Sequence, residues 1–503
     1  MMAFFAIIRL TIRSAFRSHF FRGAMLFFLA SVFLMPLFVE TDGTGAGLIK
    51  ITLEYSLTLA AAILSLSAVW LGASEITADV EDLRLQMIAV KPVSRPVIYL
   101  AKYTGVLAIH ALLLGFAAVV IYGLTMYRIA TTDMPEQERI QLDREVFTAR
   151  KVYAPDSLKA DLDRRAEQLL QEGLAAAKAQ GKEMPDSWRT VRDKTNEFDR
   201  EEILRRLQDR VRIEQAALAP GSFREWTYSG IPDDLNGPFQ VRYRVYCEER
   251  QSYQSESHGV WGWEYYLPSP QNPGEMLPSM IYLVPNDKQM RIMTMQTSEL
   301  EVYPKGAEKD ADYFCARGFQ TEGRNLKIFY APYPGSNALM AKDGKATLRF
   351  LSLDKKGRML YFMENDGPYL MVPVTGFADN YFRTILALFL QIMVFAAFGT
   401  AFAACFSLAT GIFLTLAYLI WGLSTRFVLD VFTNTTVKPH TFLDYVNYYG
   451  GQYIDLVLLD PGAFAAQEML SSGELVEYSY LAVLLFVEFG IKVLPFLLTG
   501  LWV

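Results

Sequence analysis

The chain has 503 residues, of which 52% are hydrophobic and 14% aromatic, with a mean hydropathy of +0.16. That is too apolar for an ordinary soluble protein and too polar for one wholly immersed in lipid. A net charge of −6 and a pI near 5.5 exclude an overall basic field, so nucleic acid is not an expected partner and any attraction to a membrane surface must be local.

Taken in chain order, residues 1–22 carry Arg9, Arg13, Arg17 and Arg22. The first three recur every fourth residue and are set against Phe5, Ile8, Ile12 and Phe16, a pattern that predicts an amphipathic helix at the cytoplasmic membrane interface; a simple extension of the first span with a basic anchor is the alternative. A helix needs roughly 20 apolar residues to cross the hydrocarbon core, and 23–39, 52–74 and 103–127 qualify. Lysine and arginine near span ends stay on the cytoplasmic side, so the N-terminus is placed inside. The segment after the third span, 128–380, then falls outside.

Within it, 128–221 reads as a helical hairpin. Leu158, Leu162, Ala166, Leu169 and Leu170 recur at helical spacing, as do Ile203, Leu204, Leu207 and Val211, with a Gly- and Pro-containing linker between the two runs. From 222 to 380 the period changes to two. FQVRYRVYC at 239–247 alternates as a half-buried strand does, and VWGWEYYL, MIYLV, RIMTMQ, NLKIFYA, TLRFLSL, RMLYFM and YLMVPV follow, separated by turn clusters such as PDDLNG and YPGSN. Many short strands with regular turns predict a β-sandwich. Cys247 and Cys315 both fall in this part, where an oxidising compartment would allow a disulfide between neighbouring strands; two separate thiols are the alternative. Met290, Met293 and Met295 near His258 fit a core strand better than a soft-metal site, so no metal is expected.

The apolar run 384–424 is about twice a bilayer in length and must fold back, with the break expected at Cys405-Phe406-Ser407. Residues 430–475 are semi-apolar and interrupted by Gly450, Gly451, Pro461 and Gly462, as a re-entrant outer element would be. A final span from about Tyr480 brings the expected count to six, with both termini cytoplasmic. In that span Glu488 and Lys492 stand four apart, placed to pair on one helix face and offset the cost of burying either charge alone. The fold class expected is thus a six-span α-helical membrane protein with a large inserted α+β domain outside.

No GxxxxGK[ST] phosphate loop, HExxH or GxSxG occurs, so no constellation for ATP hydrolysis or other enzymatic chemistry is visible. What stands out is the cassette EITADVEDLRLQMIAVKPVSRPVIYLAKYTG, Glu75 to Gly105, between the second and third spans. An acidic turn, Asp79, Glu81 and Asp82, leads into an apolar stretch too short to cross a membrane, which Pro92 ends. The pattern predicts a short helix at 76–95, held at the cytoplasmic surface and joined stiffly to two spans.

This order of amphipathic helix, two spans, acidic-then-apolar short helix with KPVSRPVIYLAKYTG, and a third span resembles the membrane subunit of type-2 ABC transporters, especially permeases associated with multicopper-enzyme maturation. The resemblance covers the six spans, and the insertion of roughly 250 residues is far larger than an ordinary connection. It implies that the cassette is a coupling helix docking on a separate ATPase subunit, a role carried onto Asp79, Glu81, Asp82, Arg84, Leu85, Lys91, Pro92, Val93, Ser94 and Arg95. It further implies a bacterial inner-membrane permease that binds no cofactor directly, ATP and Mg being held by the partner ATPase. A second permease copy or related chain would complete the assembly in the lipid bilayer, and periplasmic proteins are further candidate partners. The alternative from another class is a membrane-anchored structural or sensory scaffold whose outer β-sandwich binds periplasmic proteins or glycans.

Overall fold

The computed structural model describes the backbone of residues 2–38, 45–81, 93–132, 146–156, 159–182, 200–232, 239–243, 245–247, 256–268, 276–284, 291–296, 314–317, 327–330, 341–352, 359–363, 367–434 and 458–500, with isolated residues between these. The chain divides into two units, Met1–Arg150 with Val374–Val503, and Lys151–Pro373. Its helices in chain order are α1 (Met2–Arg17), α2 (His19–Phe38), α3 (Gly45–Glu81), α4 (Arg95–Thr131), α5 (Lys159–Ala179), α6 (Arg200–Ala216), α7 (Phe377–Cys405), α8 (Leu408–Asn434), the short α9 (Ala466–Ser471) and α10 (Tyr478–Thr499).

The first unit is helical. Five of its helices among the described residues are long and apolar enough to cross a membrane: α2, α3, α4, α7 and α10. The chain is therefore compatible with a polytopic membrane protein. The apolar part of α8, Leu408–Ser424, is shorter, so the sixth expected crossing is not among these five. The fold-back comes where the sequence places it, with α7 ending at Cys405 and α8 starting at Leu408. Helices α3 and α4 both have 37 residues, about 55 Å at the α-helical rise, against about 30 Å of hydrocarbon.

One continuous core runs through this unit, with Leu53, Leu57, Leu64, Ala68 and Leu71 of α3 packed among residues of α2, α4 and α7. The α3–α7 crossing is close because both helices place glycine there. A Cβ on Gly399 would lie 2.5 Å from the Val69 carbonyl oxygen, and one on Gly72 3.1 Å from that of Ala396. In lipid, which is as apolar as leucine, such backbone proximity replaces the hydrophobic drive as the source of packing.

The second unit holds the α5–α6 pair and most of the strands. Strands β1 (Thr148–Tyr153), β13 (Tyr369–Gly376), β4 (Gln240–Tyr243) and β10 (Lys327–Tyr330) form one sheet in that order. A second sheet runs β3 (Phe223–Ser229), β11 (Lys345–Ser352), β6 (Glu256–Pro268), β7 (Met276–Val284), β8 (Arg291–Gln296), with β9 (Phe314–Arg317) also on β6. The third is small: β2 (Ala217–Leu218), β12 (Leu360–Tyr361), β5 (Tyr246–Cys247). A shared aromatic core draws on all three sheets, with Trp226, Tyr228, Trp261 and Phe350 meeting Val241, Tyr243, Leu370, Leu218 and Leu360. The alternation in β11, where every second residue is buried, shows why period two is legible there. Tyr228 donates to the Pro368 carbonyl at 2.7 Å, and burial holds its hydroxyl well above the ordinary tyrosine range, so it stays neutral.

The stretch 239–247, expected as a single strand, is split instead: β4 and β5 belong to different sheets. Helix α5 buries Leu162, Ala166 and Leu170 against Ile203, Leu207 and Val211 of α6, the heart of the expected hairpin. Its second helix is described over Arg200–Ala216, and 189–199 of the expected run lie outside the described residues.

Candidate functional site

The sequence directs attention to the junction of α3 and α4. Residues 76–81, expected in a separate short helix, continue α3 without a break, so Asp79 and Glu81 occupy its last turns. Hydropathy marks where apolar residues stop, and a helix stops only where its backbone pairing does. The side chains of Asp79 and Glu81, and all of Asp82, Arg84, Leu85, Lys91 and Pro92, lie outside the described residues. On the far side Ser94 takes the extended conformation of an N-cap, and its carbonyl accepts from the Val97 and Ile98 amides at 3.0 and 3.3 Å. Pro96 sits in the first turn, where its missing N–H costs nothing. Ser94 and Arg95 are exposed, whereas Val93 packs against the cluster of Ile7, Ile98 and Ala101.

Two contacts stiffen this end. Lys102 is 4% exposed, and its ammonium donates to the Glu75 carbonyl of α3, joining the two long helices near the connection. Helix α1 runs along α4, burying Ile7, Thr11 and Ala15, and Gly105 makes room for it: a Cβ there would meet that of Thr11 at 2.9 Å. The face buried is thus Ile7–Thr11–Ala15, while Phe5 and Phe16, expected on the apolar face, are exposed together with Arg9, Arg13, Arg17 and Arg22. Ser18 separates α1 from α2, its hydroxyl accepting from the Phe21 amide at 3.3 Å.

Deeper in the helical unit, Lys492 and Glu488 pair at 3.0 Å with both side chains at least nine-tenths buried. The pair lies in a π-helical stretch, Leu484–Val493, which leads directly into Pro495. In an α-helix proline clashes with the carbonyl four residues back and leaves it without a donor, and a widened turn is one way to accommodate that. The Glu488 Oε2 atom has no hydrogen-bond partner among the described residues.

Of the expected re-entrant segment 430–475, residues 430–434 are the end of helix α8, and 458–475 contain the turn Pro461–Phe464 and the short α9, whose Ala466 and Leu470 join the helical core. Residues 435–457 lie outside the described residues. Asn380 of α7 fixes its end, donating to the Glu474 carbonyl at 2.7 Å and accepting from the Val476 amide at 2.8 Å. Arg383 pairs with Asp379 at 2.6 Å and stacks over Tyr478 at 4.1 Å. Ser471 donates to Glu54 of α3 at 2.8 Å, and the Leu459 amide donates to the Tyr418 hydroxyl of α8 at 3.1 Å.

Reading the sequence for a cassette missed Lys102 as a buried tie, along with Glu54, Asn380 and the wholly buried His110. The His110 Nδ1 donates to the Val106 carbonyl at 2.8 Å, and its Nε2 faces the Ser67 hydroxyl at 3.3 Å. The signal for Glu54 and His110 was present, since each is an ionisable residue inside an apolar window. Cys247 and Cys315 lie on strands of different sheets: β5 pairs with β12, and β9 with β6, where Cys315 stands opposite His258. Their two strands are not hydrogen-bonded to one another, and the side chains of both cysteines lie outside those described.

No protein-family model, curated protein or solved structure matches the chain.

Proposed function

We propose that this chain is the membrane-spanning permease subunit of an ATP-binding cassette transporter of the bacterial inner membrane. A separate ATPase, carrying ATP and Mg, drives it, and a second permease copy or related chain completes the assembly. Both termini lie on the cytoplasmic side in this reading, and residues 128–380 lie outside. The observation that carries the proposal is the pair of 37-residue helices α3 and α4, joined through only the residues between Glu81 and Arg95 and tied by Lys102 and Glu75. Two helices about 55 Å long convert a push on their connection into movement of the spans. A passive anchor has no use for such levers.

A scaffold whose second unit binds partners is supported by the separate core of Lys151–Pro373. The two readings part in one experiment, purification of the tagged protein from its own membranes with and without Leu85→Asp plus Arg95→Glu. An ATPase recovered with the native chain and lost, at least tenfold, from a still-folded double variant is the expected result. Recovery of no ATPase with either form sinks the permease reading.

A further inference from the structure

We propose that the outward face of α1 is a binding surface for anionic phospholipid. The inference rests on the membrane reading of α2, α3, α4, α7 and α10 but not on the ATPase. Helix α1 is held by one face, Ile7, Thr11 and Ala15, against α4, and this fixes which side chains turn away. Arg9, Arg13 and Arg17 are all exposed, and none of them forms an ion pair among the described residues. Beside them stand Phe5 and Phe16, 64% and 47% exposed. A helical wheel at 100° per residue puts Phe5 and Phe16 next to Arg9 and on the side opposite Ile7. The surface therefore interleaves cations with aromatic rings, as suits a helix whose rings enter the acyl boundary while its guanidinium groups remain among headgroups.

Charge decides the kind of lipid. No acidic residue occurs before Glu40, so the four arginines of residues 9–22 are uncompensated in sequence although the whole chain carries −6. The candidate span begins at His19, two residues after Arg17, which keeps this charge within a Debye length of the membrane surface. Guanidinium groups pair with phosphate in forked geometry, and an anionic headgroup leaves that phosphate charge unbalanced whereas a zwitterionic one neutralises it. The expected ligand is thus phosphatidylglycerol-like rather than phosphatidylcholine-like. A docking groove on a protein is the competing occupant, and the exposed phenylalanines argue for lipid.

The test uses the full-length protein with a photoreactive benzophenone amino acid at Phe5, reconstituted in bilayer discs of phosphatidylcholine containing phosphatidylglycerol. Adducts are quantified by mass spectrometry. Phosphatidylglycerol adducts should exceed their share of the bilayer several-fold. Arg9→Gln, Arg13→Gln and Arg17→Gln combined should abolish that excess, and the same three positions as lysine should keep most of it, which separates charge from folding. Adducts in proportion to bilayer composition overturn the proposal. So does crosslinking to a co-purifying protein, in native membranes, that competes with lipid. Because the discs contain no ATPase, lipid preference can persist even where the permease reading fails.

Discussion

The two units of this chain are packed by opposite means. In the helical unit a close crossing is made by what is missing, the side chains of Gly72 and Gly399, so that α3 and α7 meet backbone to backbone. In the second unit the core is made of the largest side chains available: Trp261 lies 5.7 Å from Trp226, 4.8 Å from Tyr243 and 5.0 Å from Phe350, ring centre to ring centre. In water, burying large aromatic rings is itself the driving force, and edge-to-face geometry adds to it. Lipid removes that drive, leaving close contact and paired polar groups to hold helices together. The contrast extends to charge. Glu488 and Lys492 pair with one another, buried in the helical unit, while Arg200–Glu167 and Arg210–Glu214 of the second unit are exposed pairs worth little individually.

The sharpest break of this contrast is Trp261→Ala, expected to destabilise the second unit by about 3–5 kcal/mol because a 1%-exposed ring leaves a cavity among four aromatic neighbours. Near-UV circular dichroism during urea unfolding of the full chain reads the loss. Lys492→Met should cost on the order of 3 kcal/mol by stranding Glu488, and Glu488→Gln added to it should recover much of that cost. Unfolding by titration with a denaturing detergent compares the three forms, and equal stability of the single and double variants would remove the ion pair from the account. Gly399→Val should cost about 1–3 kcal/mol in the same assay, since the obstructing atoms belong to the Val69 backbone and cannot rotate away. If Gly399→Val costs nothing, the glycine crossing is not what holds α3 to α7.

The smallest effect concerns pH. Gln171 and Arg200 hydrogen-bond Glu167 and hold its carboxyl below the usual range. A carboxyl lowered in the folded state stabilises fully above its unfolded value, near 4.5, and loses that contribution as pH falls from there through the folded value. A slight acid-side loss in melting temperature, abolished by Glu167→Gln, is expected from a scan of the full chain.

The parts of this fold legible in sequence are those where one physical requirement dominates. The fold-back after Cys405 could be read because an apolar run of twice the bilayer leaves no alternative, and the α5–α6 hairpin because its leucines keep helical spacing. The extension of α3 to Glu81 was not legible, because leaving the membrane changes residue polarity without breaking the backbone ladder. The split of β4 from β5 escaped because period two is unchanged across Arg244 and Val245 while the pairing partner changes. At the candidate site, Glu488 and Lys492 were found together because their spacing is local. The Lys102–Glu75 tie was not, since it joins positions 27 residues apart through a carbonyl that every residue possesses. The widened turn before Pro495 has the same character: proline announces a disturbance without specifying its form.

Asn380 receives one backbone group and supplies another to residues 474 and 476, two apart, which is how one strand recognises its neighbour. A single amide on a helix therefore keeps the adjoining segment in register, and a slip by one residue would forfeit both bonds together. In the proposed permease reading a stroke of α7 would carry this stretch with it, and Asn380→Asp, which has no amide hydrogens to offer Glu474, would loosen the gearing while leaving the helix itself whole.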